Sequence, residues 1–153
     1  MKCCLLVLSV LRVNHVPVLD HLNLFIYNIF DKSDLLFEGK NRDHQWVLVK
    51  FVQGRYGVDV HNYLAQLGYA PRLLDTLPCG DWIVVVMERL YVVDGFDSVI
   101  LKADLELISK AKKSFNKAVK AMHEHDPPCV HGDLRPNSIL VRNDGTIAII
   151  DFD

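Results

Sequence analysis

A basic excess is the first thing this chain lacks. Lys and Arg number 17 against 19 Asp and Glu over 153 residues, a formal net charge of -2. That excludes the electrostatic footprint of a dedicated nucleic-acid binder. Long apolar runs are missing too. The stretch 3–10 falls far short of the roughly 20 residues a membrane helix needs. No small-residue cleavage site follows it before Arg12, Asn14 and His15, so a buried strand explains it better than a signal-peptide core. Cys3, Cys4, Cys79 and Cys129 form no CxxC pair and no tight framework, which reads as reduced thiols inside a cell. Repeats and low-complexity blocks are absent, and only Gly39 precedes residue 50 among the glycines. What remains is an ordinary globular balance, 50% hydrophobic and 24% charged. We expect a soluble, cytoplasmic protein of about one domain, with neither a membrane nor a nucleic acid as partner.

The pattern along the chain alternates short strands with two helices. Residues 1–30 are apolar and hard to assign, and 21–30 suits a short helix or a strand. Residues 34–37 read as a strand, 38–43 as a polar turn around Gly39, and 46–52 as a β-rich strand. The period then changes. Val60, Tyr63, Leu64 and Leu67 share a helical face over 57–67, with Gly68 and Pro71 as stop signals. Residues 73–77 and 82–87 read as strands around a turn at 78–81. The clearest helix spans 104–124, where Ile108, Ala111, Phe115, Ala118, Val119 and Met122 recur at helical spacing. Its lysines, Lys110, Lys112, Lys113, Lys117 and Lys120, read as a solvated face. Asp126-Pro127-Pro128 ends it. A hairpin follows, 139–142 and 146–150, about the turn Asn143-Asp144-Gly145.

Four signals carry chemistry, in one order along the chain. A lysine, Lys50, stands inside the apolar strand Val47-Leu48-Val49-Lys50. The acidic Asp59 lies on the next helix. The loop His131-Gly132-Asp133-Leu134-Arg135-Pro136-Asn137-Ser138 precedes the hairpin, and Asp151-Phe152-Asp153 follows it. Taken singly each has a bland reading: an edge lysine, a solvated acid, turn formers. His123, His125, His131 and Cys129 match no tetrahedral zinc spacing, so a metal site of that kind is not expected.

Taken together, the order and spacing resemble the protein-kinase-like superfamily, which includes the eukaryotic-type protein kinases and the aminoglycoside and choline phosphotransferases. The resemblance covers roughly 34–153. It implies an α+β fold: a small-lobe antiparallel sheet with one helix, then the first helix, catalytic loop and hairpin of a large lobe. The implied organisation is an unassigned segment 1–30, a small lobe with its hinge at 31–90, and the start of the large lobe at 91–153. The implied cofactors are ATP and Mg²⁺. Lys50 would pair with the nucleotide phosphates, held by a helix carboxylate for which Asp59 is the candidate, with His61 or no partner as the alternatives. Met87, Glu88 and Leu90 would border the adenine. Asp133 would orient or accept the proton of the acceptor hydroxyl, and Arg135 would neutralise charge on the moving phosphate. Asp151 would ligate the metal.

The sequence departs from the family pattern at three places. Ser138 stands where a second metal ligand, an asparagine, is usual, and Asn137 lies one place early. No glycine-rich phosphate loop precedes Lys50. The family continues beyond Asp153 with segments that bind substrate, so the chain looks like a truncated phosphotransferase. Gly132 beside Asp133 resembles the small-molecule branch. The expected function is transfer of the ATP γ-phosphate to a hydroxyl of a small molecule or protein. The alternative is a non-catalytic pseudokinase fragment, a nucleotide-binding or protein-interaction module.

Overall fold

The computed structural model describes residues 17–19, 24–31, 35–91, 94–102 and 104–153; the apolar run 3–10 lies outside them. The described residues fall into two compact units. The first takes in the described residues up to Tyr56, then Leu73–Arg89 and Asp153; the second takes in Gly57–Arg72 and Leu90–Phe152.

The first unit is an antiparallel sheet. Its strands are β1 (Pro17–Leu19), β2 (Leu24–Asp31), β3 (Leu36–Lys40), β4 (Trp46–Gln53), β5 (Leu73–Cys79) and β6 (Trp82–Glu88). They stand in the order β1-β2-β3-β4-β6-β5. Side chains alternate across a pleated strand, and β4 shows what that does. Val47, Val49 and Phe51 join Phe37, Val84 and Val86 in one apolar layer, where Phe37 and Phe51 meet edge to face at 5.6 Å. Val52 joins Val85 and Met87 in a second cluster, with Leu48 and Tyr56 packed against it. Lys50 has the parity of Leu48 and Val52 and pairs across the ladder with Val85. The charge therefore sits on that second face, at 7% exposure.

β3 runs further than its sequence suggests. The expected turn begins at 38, yet the ladder continues through Glu38↔Leu48, Gly39↔Val47 and Lys40↔Trp46. Cross-strand partners explain the extension: Glu38 forms an ion pair with Arg89, and the Lys40 ammonium lies 4.6 Å over the Trp46 ring. The tight turn is formed instead by Asn41, whose side-chain oxygen accepts from the amides of Asp43 and Gln45.

The second unit begins with α1 (Val58–Gln66) and contains β7 (Asp94–Gly95), α2 (Phe96–Leu101), α3 (Leu105–Glu124), a 3₁₀ turn Pro136–Ser138, β8 (Ile139–Val141) and β9 (Ile147–Ile149). Asp104 caps α3, accepting from the Leu107 amide at 2.9 Å. Ala111, Ser114, Ala118 and Met122 are its buried stripe. Ser114 Oγ accepts from the Ile147 amide at 3.1 Å, which fixes the hairpin to the helix. Arg142 closes the other side, donating to the carbonyls of Gly68 and Ile147. The segment Tyr69 accepts from Ile149 as well. No helix among the described residues is long and apolar enough to cross a membrane. Cys129 is a free, half-buried thiol; Cys3 and Cys4 lie outside the described residues.

Candidate active site

In the first unit the site is built around Lys50. Strand β4 is bonded on both sides, to β3 and to β6, so its residues are held from two directions. Burial of an ammonium is costly unless an anion accompanies it. Asp153 is one such anion, its Oδ1 2.6 Å from Lys50 Nζ. Met87 faces Leu48 across the ladder, and Glu88 faces Val47. Met87 therefore shares the sheet face of Lys50, and it is buried. Leu90, two residues past the end of β6, is half-buried, outside any strand, and belongs to the second unit.

In the second unit the loop 131–138 is tied at both ends. His131 Nε2–H donates to the Ile150 carbonyl at 2.8 Å, and its Nδ1 is buried with no hydrogen-bond partner among the described residues. Ser138 donates its hydroxyl to the Asp133 carbonyl at 3.2 Å. Its amide donates to the Arg135 carbonyl, and its carbonyl accepts from the Ile150 amide. The loop and the residue that follows β9 are thus one hydrogen-bonded piece. Asp133 projects into solvent from it and pairs with Arg135 at 2.5 Å. Asn137 is exposed, whereas Ser138 is buried at 2% exposure.

Asp151 is half-buried and adopts φ 65°. That left-handed conformation is uncommon for a residue with a Cβ, and aspartate tolerates it better than most. Phe152 turns inward. Its ring stacks on His61 at 4.6 Å and 15° and meets His131 at 5.1 Å and 55°. Its carbonyl accepts from the Gly57 amide at 2.8 Å. One aromatic ring thereby joins α1, the loop and the chain after β9.

Asp59, the expected holder of Lys50, lies exposed in the first turn of α1, in the second unit. Asp153, which meets Lys50 within the first unit, is singled out by the sequence only as the end of its turn. His61 also takes an unforeseen place. It is fully buried, and its Nε2–H donates to the Pro71 carbonyl at 2.7 Å. The signal was present in the sequence: His61 stands one residue after Val60 and three before Leu64, on the apolar side of α1.

Burial lowers the His61 pKa below the ordinary value of 6.5, and the hydrogen bond to Pro71 offsets this only in part. The unfolded chain therefore binds the proton more readily than the folded one. The contribution to stability is complete above about pH 6.5 and is lost as pH falls from there. Melting temperature should drop between pH 6.5 and 5, and less so in His61→Gln, which keeps a donor for Pro71 but does not titrate. Equal acid sensitivity of the two proteins would remove His61 as the cause.

No protein-family model and no curated protein matches the chain. Among solved structures it is similar to the Cydia pomonella granulovirus kinase PK-1, with a TM-score of 0.66 and 18% identity. The match covers 83% of this chain and 50% of that one. The chain thus spans about half the length of that kinase, and at this identity the likeness is one of fold. The described architecture is α+β, with an antiparallel sheet of the kind found in a kinase small lobe and a helical unit with a hairpin consistent with part of a large lobe.

Proposed function

We propose that the chain is the ATP-binding part of a phosphotransferase, moving the γ-phosphate of ATP to a hydroxyl of a small molecule or a protein. The observation that carries this reading is Lys50. A cation buried at 7% exposure on a doubly paired strand costs stability that an apolar residue would not. Such a residue is retained where its charge is used.

In this reading the Lys50 ammonium pairs with the nucleotide phosphates, while Met87 and the backbone of Glu88 and Leu90 border the adenine. Asp133 accepts the proton of the acceptor hydroxyl as its oxygen bonds to the γ-phosphorus. The bond from that phosphorus to the bridging oxygen breaks, and ADP leaves. Arg135, beside Asp133, neutralises charge on the phosphoryl group in transit.

The donor set suits Mg²⁺. Ser138 is buried and turned onto the Asp133 carbonyl, so the ligands fall to Asp151 and to the exposed amide oxygen of Asn137. Magnesium commonly takes one or two protein oxygens and completes its shell with phosphate and water. When bound, it would offset charge on the phosphate oxygens.

A specific observation favours the second reading, a nucleotide-binding module without turnover: the Asp133 carboxylate is already paired with Arg135. The two readings part on one experiment. Mg-ATP at about 100 times its Kd should stabilise the chain by roughly 2.7 kcal/mol, and Lys50→Met should abolish the shift. Release of ADP then marks a phosphotransferase, and stabilisation without release marks the module. Absence of any shift in the unaltered chain rules out both.

A further inference from the structure

We propose that Asp153 is the positioning residue for Lys50, holding its ammonium ready for the nucleotide phosphates; this rests on the nucleotide reading of Lys50. The two side chains are 103 positions apart in sequence and meet at 2.6 Å, both within the first unit. The contact is short, as charge-assisted hydrogen bonds are. Side-chain exposure is 8% for Lys50 and 32% for Asp153, so the lysine is the desolvated partner and the carboxylate the one that reaches it from the solvent side.

Lysine carries its charge on a flexible four-carbon stem. Free in its pocket, that stem would have to be ordered when the nucleotide arrives, and ordering opposes binding. Asp153 orders it beforehand. It also compensates the buried charge before any phosphate is present. The contact is made by a single carboxylate oxygen, and an ammonium has three donors.

The role is separable from simple packing, because Lys50 acts on the phosphates and not on the nucleoside. Mg-ATP and adenosine affinities would be measured by calorimetry on the whole chain and on Asp153→Asn, Asp153→Glu and Lys50→Met. Asp153→Asn should weaken Mg-ATP by about tenfold, in line with loss of a hydrogen bond between charged groups. Adenosine binding should stay unchanged, and Asp153→Glu should recover most of the loss. Unchanged or tighter Mg-ATP binding in Asp153→Asn overturns the proposal, the second by making Asp153 a competitor of the phosphates. Parallel loss of adenosine binding overturns it as well, since that would mark a structural role. Full Mg-ATP binding by Lys50→Met overturns the nucleotide reading itself, a result distinct from any failure of Asp153.

Discussion

Asp133→Asn should slow phosphoryl transfer by about 10³-fold, within the range that a positioned general base supplies, while leaving Mg-ATP binding intact. The substitution is close to isosteric, and the loop does not depend on the carboxylate for its shape. The Asp133 backbone carbonyl, not the side chain, accepts from Ser138, and the turn closes through the Ser138 amide and the Arg135 carbonyl. The amide cannot take up a proton, so the acceptor hydroxyl would have to lose its proton to water. The Arg135 pair would be lost at the same time, freeing the guanidinium without restoring a base. Because the pair is more than half exposed on both sides, its own contribution to stability is small, and the melting temperature should barely move. Slow hydrolysis of ATP, with water as acceptor, provides a readout that needs no identified acceptor. A fall in Mg-ATP affinity parallel to the fall in rate would show that Asp133 belongs to the nucleotide site and is not the base.

Much of the fold was legible because its strongest elements announce themselves locally. The helix expected at 104–124 is α3, Leu105–Glu124 with Asp104 as its cap, since an amphipathic stripe and a capping side chain are both local properties. The hairpin about Asn143-Asp144-Gly145 was legible for the same reason, its turn closed by Asp144 accepting from Thr146. The misplaced end of β3 has the opposite cause. Glu38 and Lys40 look like turn residues until Arg89 and Trp46 are known to stand beside them, and those neighbours come from elsewhere in the chain. Strand β7 and the short α2 went unread. Six residues without a side-chain cap leave no period to detect.

The candidate site divides along the same line. Lys50, the loop 131–138 and Asp151 stand out by residue type and order, and it is on that order that the phosphotransfer reading rests. The contact between Lys50 and Asp153 could not be read there, because it joins residues 103 positions apart in the chain. Ser138 shows a related limit: its burial and the bond from its hydroxyl to the Asp133 carbonyl are set by the fold of the loop and have no local signal in the sequence.

Phe152→Ala should cost about 3–5 kcal/mol, the range for removing a buried aromatic ring. Its residue is 7% exposed, and its ring fills the space between two imidazoles, stacked on His61 and tilted against His131. Truncation to a methyl group would leave a cavity whose walls cannot easily collapse. His61 is held by the Pro71 carbonyl and His131 by the Ile150 carbonyl, so neither ring is free to move in. Against a typical total of 5–15 kcal/mol, such a loss is large enough to see directly as a lowered urea midpoint at unchanged slope. Phe152→Leu should retain most of the stability, because it restores volume though not the stacking. The pair of variants therefore separates filling from aromatic contact. The backbone bond from Gly57 to the Phe152 carbonyl is available to both, so it cannot account for a difference between them. A cost below about 1 kcal/mol for Phe152→Ala would mean that the ring packs far less tightly than its contacts imply.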